Sequence, residues 1–130
     1  MTGKTDRFIV KPRLRESLSH HDMKWITEQI GPGYNCIDSS LLKEADIHIG
    51  LQEIRHVPPD CNPLAQAHKH DTNEYYLIIG DLTLEITLGD EKHLVNGPAT
   101  VFVPAGVVHN LRPVKGSGYF VVVMKSKEYA

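Results

Sequence analysis

Between positions 82 and 88 hydrophobic and polar residues alternate without a break, with Leu82, Leu84, Ile86 and Leu88 set against Thr83, Glu85 and Thr87. A period of two residues is that of a β-strand with one face buried and the other wet. The same period runs through 47–56, where Ile47, Ile49 and Leu51 share one face and His48, Gly50 and Gln52 the other. Shorter apolar runs follow at 93–95, 100–103 and 119–124, the last leading into a charged tail. Turn-forming residues punctuate them: Gly80-Asp81, Gly89-Asp90, and Asn96-Gly97-Pro98. Strands recurring every ~8–12 residues between such turns predict an all-β sandwich or barrel. The stretch 14–30 departs from this pattern, because Leu14, Leu18, Trp25, Ile26 and Ile30 fall partly at helical spacing before Gly31-Pro32-Gly33 stops them. A short N-terminal helical segment is expected there. Tyr34 to Leu42 reads as a first strand of the main sheet, and 57–65, with Pro58, Pro59 and Pro63, as a loop forming the rim of any pocket. Residues 1–12 are polar apart from Phe8-Ile9-Val10, which suits an edge strand or an arm exchanged between two copies; a homodimer is expected.

Composition narrows the class. The 130 residues suffice for a single domain, divided by pattern into an arm and helix over 1–45 and a β core over 46–125. No apolar run approaches the ~20 residues of a membrane span, and the first residues lack a signal-peptide core, so a cytoplasmic protein is expected. The net charge of -2 arises from mixed signs without a basic patch interleaved with aromatics, which argues against a nucleic-acid partner. Cys36 and Cys61 form no CxxC pair and read as free thiols.

The candidate chemistry lies in 68–80, His-Lys-His-Asp-Thr-Asn-Glu-Tyr-Tyr-Leu-Ile-Ile-Gly. On a strand His68 and His70 would point the same way with Cβ atoms about 6–7 Å apart. Two such imidazoles can converge on one metal ion. Glu74 shares their parity if the strand resumes after Asp71-Thr72-Asn73, and a Pro/Gly turn at 104–106 delivers a fourth group, His109.

These residues resemble the two motifs of the cupin superfamily, whose ligand-bearing cores HxHxxxE and PxGxxH are intact at 68–74 and 104–109. Asn62 stands where the first motif has its opening Gly, and Pro113 where the second ends in Asn. Counting back from Gly80 by the family spacing selects Asn73 in place of Glu74; the carboxylate is preferred as the better ligand for a divalent cation. The resemblance implies a cupin-like jelly-roll β-barrel over the single domain 1–130 and one divalent metal ion on His68, His70, Glu74 and His109. Iron(II) is favoured, with manganese, nickel, zinc or copper as alternatives. It further implies a metalloenzyme acting on a small-molecule substrate, an iron(II) dioxygenase-like oxidoreductase first, with a lyase or isomerase, or a non-enzymatic ligand-binding module, as the other readings.

Parity adds the remaining candidates. Tyr76 shares the face of Glu74 and His48 the polar face of its strand, so both are candidate catalytic groups. Gln52, Ile78, Phe102 and Leu111 are expected around the substrate. His20, His21 and His93 sit among polar neighbours and are expected in solvent, while Arg55 and Arg112 oppose the histidines of their own strands and are expected to face away.

Overall fold

The computed structural model describes residues 4–126; Met1 to Gly3 of the expected arm and 127–130 of the charged tail lie outside the described residues. After a single 3₁₀ turn at Asp6–Phe8 the elements are β1 (Arg13–Leu14), α1 (Met23–Gln29), β2 (Gly33–Ile37), β3 (His48–Ile54), β4 (Glu74–Ile79), β5 (Leu82–Leu88), β6 (Glu91–Asn96), β7 (Ala99–Val103), β8 (His109–Gly116) and β9 (Gly118–Met124). They make two antiparallel sheets, a larger one in the order β1-β2-β3-β9-β4-β7 and a smaller one in the order β6-β5-β8. The core lies between them.

Alternation explains the packing. In β5, Leu82, Leu84 and Ile86 point inward and meet Ile54, Ile78, Val103 and Phe120 of the larger sheet. Helix α1 adds Met23 and Ile26 to the same cluster, and the Asp22 side chain caps it by accepting from Trp25 N at 3.1 Å. Leu84 is 0% exposed. Leu84→Ala is therefore expected to destabilise the protein by about 2–5 kcal/mol, read as a lower urea midpoint at unchanged slope. An unchanged midpoint would remove Leu84 from the core.

Three expectations need correction. The sheets do not close into a barrel. Segment 64–68 runs along the free edge of β8 but makes only isolated contacts with it, Leu64 N donating to Leu111 O at 2.9 Å and a two-bond bridge between His68 and His109 at 3.1 and 2.8 Å. Pro58, Pro59 and Pro63 just before it lack the N–H donors that a continuous ladder requires. The helical segment is not N-terminal, since β1 precedes it and pairs with β2, and only Met23–Gln29 is helical. Phe8 ends a 3₁₀ turn and Ile9, 81% exposed, follows it, so no edge strand forms there; the turn is tied down by the Arg7–Glu44 ion pair instead.

Strand β3 also settles which of its faces is inside. His48, Gly50, Gln52 and Ile54 point into the sandwich, whereas Ile49 and Leu51 face outward. The polar face is the interior one.

Candidate metal centre

Glu74 opens β4 and His109 opens β8, at the end of the sandwich where segment 64–70 crosses. The burial of β4 alternates, so Glu74, Tyr76 and Ile78 point inward and Tyr75 outward. Asn73, the alternative ligand by spacing, has its side-chain oxygen occupied in accepting from Ala105 N at 2.9 Å. His68 and His70 are not on a regular strand, so the parity argument does not apply to them. What orients them is backbone bonding: His68 exchanges both main-chain hydrogen bonds with His109, and Gly106 N donates to His70 O at 2.8 Å. The Pro104–Gly106 turn, with Gly106 at φ 82°, thus holds both the His70 backbone and the approach to His109.

Candidate ligand nitrogens of His68, His70 and His109 all lie within 4.8 Å of one another. His68 Nδ1 sits 2.6 Å from Gln66 O and His109 Nδ1 2.9 Å from Val107 O. A carbonyl can only accept, so each Nδ1 carries the proton and each Nε2 presents a lone pair. Glu74 closes the set, with Oε1 3.0 Å from His109 Nε2 and Oε2 3.6 Å from His70 Nε2. The shorter contact lacks hydrogen-bond angles, leaving Glu74 Oε1 and His109 Nε2 buried with no hydrogen-bond partner among the described residues. Buried acceptors in that condition are costly, and a cation among them would satisfy both. Three imidazoles and a carboxylate fit a divalent transition metal.

Burial would raise the Glu74 carboxyl, but the close His109 ring, the Tyr76 hydroxyl and the charges of His109 and His70 together hold it below its ordinary 4.5. Burial would lower His109, but Glu74 and the Val107 carbonyl outweigh it and hold the imidazole above its ordinary 6.5. Burial, aided by the neighbouring histidines, pushes His68 down against the pull of the Gln66 carbonyl. In the metal-free protein these opposite shifts make stability depend on pH. The raised His109 stabilises below its unfolded 6.5 and loses this as pH rises through its folded value; the lowered Glu74 stabilises above 4.5 and loses this as pH falls through its own. The pair is thus most stabilising between about pH 4.5 and 6.5. Metal needs His109 neutral, so occupancy should rise with pH through and above this window. Equilibrium dialysis with zinc or manganese from pH 5 to 8 reads this, and a flat occupancy curve would contradict histidine ligation.

A cavity of about 40 Å³ lies between the sheets, bounded by His68 and Glu74 on one side and by His48, Gln52, Tyr76 and Leu111 on others. Such a volume holds a few waters or the end of a compact ligand. An open groove of about 780 Å³ outside it shares Leu18, His21 and Leu64 with the cavity wall, marking a way in. Of the residues expected around the substrate, Leu111 and Gln52 line this space and Ile78 is buried in the core nearby. Gln52 is also bonded to the backbone, its Nε2 donating to Gly31 O at 2.8 Å and Glu53 O at 2.9 Å. Phe102 is the exception: in β7 it has the outward parity and packs on Tyr75 at 5.2 Å, so it does not reach the cavity. His21 also departs from expectation. It is half-buried in the cavity wall with its ring 5.9 Å from that of His68, and burial lowers its pKa to about 4. His20 is exposed but stacks on His68 at 4.8 Å. Sequence reading missed Arg15 and Asp38 altogether. Both lie in polar stretches whose pattern carries no sign of burial, and each reaches His48 only through the fold.

No family model matches this sequence, and no curated protein does. Solved structures match its fold. Oxalate decarboxylase from Bacillus subtilis, described for its Mn(II) centres, superposes with a TM-score of 0.63 at 13% identity over 92% of this chain and 28% of that one. KdgF from a Halomonas species does so with 0.58 at 9% identity, covering 90% and 89% of the two chains. A cupin superfamily protein from Desulfitobacterium hafniense gives 0.55 at 16% identity over 71% and 73%. The chain spans only 28% of the length of the decarboxylase. Its fold is that of the cupin superfamily, with a three-histidine group able to hold a metal at one end of the sandwich.

Proposed function

We propose that this protein is a metal-dependent enzyme acting on a small organic molecule, with His68, His70, Glu74 and His109 holding one divalent ion and iron(II)-dependent oxygenation as its chemistry. The supporting observation is that Glu74 Oε1 and His109 Nε2, 3.0 Å apart, are buried without a hydrogen bond among the described residues, beside two further imidazoles and with Glu74 and His68 lining a cavity. A bound ion would supply a Lewis acid with coordination positions beyond its four protein ligands and, if iron(II), redox chemistry with dioxygen.

The chain's own residues do the rest. Tyr76 hydrogen-bonds Glu74 and so keeps the carboxylate aimed at the cluster; its hydroxyl, at the cavity wall, is the group placed to pass a proton to a substrate oxygen. Leu111 and Phe120 keep bulk water from the reacting end, which strengthens every charge inside. His48 acts by position: Nε2 faces Arg15 Nη2 at 3.3 Å and Nδ1 faces Asp38 Oδ2 at 3.6 Å, so the ring braces the cavity wall.

Iron(II)-loaded protein in an oxygen electrode, offered enolic, phenolic and dicarbonyl compounds, should consume oxygen in step with substrate loss. No uptake across that panel, together with isomerisation or elimination by the manganese or zinc protein, would replace oxygenation by a lyase or isomerase activity.

The same proposal includes a cytoplasmic homodimer. The outer face of the larger sheet exposes Tyr75, Ile79, Phe102 and Tyr119, and Phe8 and Ile9 stand exposed beside the N-terminal turn. Apolar surface of this extent suits a partner. Removal of residues 1–12 is expected to shift the sedimentation coefficient towards the monomer, whereas a wild type that sediments as a monomer at high concentration would end the dimer reading.

A further inference from the structure

Residues 18–21 form a tight turn, closed by His21 N donating to Leu18 O at 3.1 Å. Its third residue, His20, has φ 67°, in the left-handed region where glycine is the least strained residue and a side chain is uncommon. The residue is exposed, so it is not burial of the ring that offsets the strain. The ring lies almost parallel to that of His68 instead, with 4.8 Å between centroids and 13° between planes. A backbone outlier beside a candidate site points to a role for its side chain.

Gln66 ties the two rings to one frame. Its main-chain N donates to His20 O at 2.9 Å, and its carbonyl accepts from His68 Nδ1 at 2.6 Å. His21 bridges to Ala65 beside it, so the turn is docked on the segment that carries His68. Of the three candidate histidine ligands, His68 is the one that gains most from such support. His70 and His109 are 5% and 1% exposed, and packing holds their rings. His68 is half-buried and lies outside any regular strand. A hydrogen bond through Nδ1 fixes its tautomer and one point of its ring, but a plane needs a further restraint. The rings of His70, His109 and His21 meet it at 79°, 56° and 65°, so among these four neighbours His20 is the one that lies along its plane.

We propose that His20 is a positioning residue for the metal centre: its ring, presented by the left-handed turn and stacked on His68, sets the plane of that imidazole and keeps its ligand nitrogen among those of His70 and His109. This rests on His68 being a metal ligand, and adds a residue that lies outside both histidine-bearing motifs. Stacked rings attract each other beyond the area they bury. Neighbours that orient a ligating imidazole ordinarily change metal affinity about 10–100-fold when they are removed. His20 lines the open groove and His68 the cavity, so the stack also stands between the groove and the cluster.

The test compares the wild type with His20→Gly and His20→Phe as full chains, by zinc titration in calorimetry, electron paramagnetic resonance of the copper(II)-saturated proteins, and urea unfolding of the metal-free ones. His20→Gly suits the left-handed turn and removes the ring, so the urea midpoint should hold or rise while zinc binds about tenfold more weakly and the copper hyperfine pattern changes. His20→Phe keeps a planar ring but has no ring nitrogen. It should restore both the zinc affinity and the copper pattern of the wild type, which separates stacking from direct ligation by His20. Zinc bound as tightly by His20→Gly as by the wild type would overturn the proposal, and with a lowered midpoint it would make His20 a purely structural residue of the turn. Weak zinc binding by a His20→Phe protein of wild-type circular dichroism would overturn it too. A wild type that takes up no metal would end the metal-centre reading and this proposal with it, whereas equal affinity in wild type and His20→Gly would end this proposal alone.

Discussion

His109→Ala should leave the purified protein with under about a tenth of an equivalent of bound divalent metal where the wild type holds close to one, and His70→Ala should do the same. His109 is 1% exposed, its Nδ1 is held by the Val107 carbonyl, and its Nε2 meets Glu74 inside the cluster. Removing the ring takes away a preorganised ligand and the imidazole that lies 3.0 Å from Glu74. His93→Ala is the control, since that ring is exposed on β6 and lies 3.5 Å from Glu91, away from the cluster. Elemental analysis of protein prepared without chelator measures the difference, with far-UV circular dichroism to confirm that the sheets persist. Near-full occupancy in both ligand variants would sink the four-residue site.

The second large effect is expected at Glu74. Glu74→Ala should bring turnover down by about 100-fold or more, because it removes a buried carboxylate in contact with two rings of the histidine cluster. Glu74→Gln separates charge from shape. It keeps the side-chain volume and a partner for Tyr76, but offers a neutral amide where the cation needs a negative oxygen, so turnover should fall almost as far while the urea midpoint moves less than in Glu74→Ala. The pH response should change too. Without the carboxylate, His109 loses the contact that holds it above its ordinary value, so the pH-dependent gain in stability of the metal-free protein below about pH 6.5 should shrink. Wild-type turnover in Glu74→Gln would show that the carboxylate is dispensable.

Some of this was legible in the residues alone. The unbroken alternation of 82–88 required a strand with Leu84 and Ile86 inside, because a one-residue slip would put every leucine in water. In the same way, the alternation across 74–78 put Glu74 on the face of Tyr76 and Ile78 whatever the neighbouring strands did. Phe102 obeys the same rule: Val103 is buried in β7, so its neighbour faces out.

The sequence by itself determined the β class, the inward faces of β4 and β5 with Glu74 among them, and the turn that delivers His109, because a period of two and a Pro/Gly turn act over a few residues; His68 and His70 are oriented by backbone bonds to His109 and Gly106. Tertiary structure alone decided the rest. Whether β3 turned its apolar or its polar face inward depended on what packed against each, and the sandwich put His48 and Gln52 inside. Whether the sheets closed depended on whether 64–68 could pair along β8, and after its proline-rich approach it makes only isolated contacts there. Arg15 and His21 come from a polar stretch about 50 residues before the histidine motif and join its cavity only because β1 docks on β2 and His21 bridges to Ala65. No local pattern encodes such a meeting, since the interaction that buries each side chain is with a segment far away in sequence.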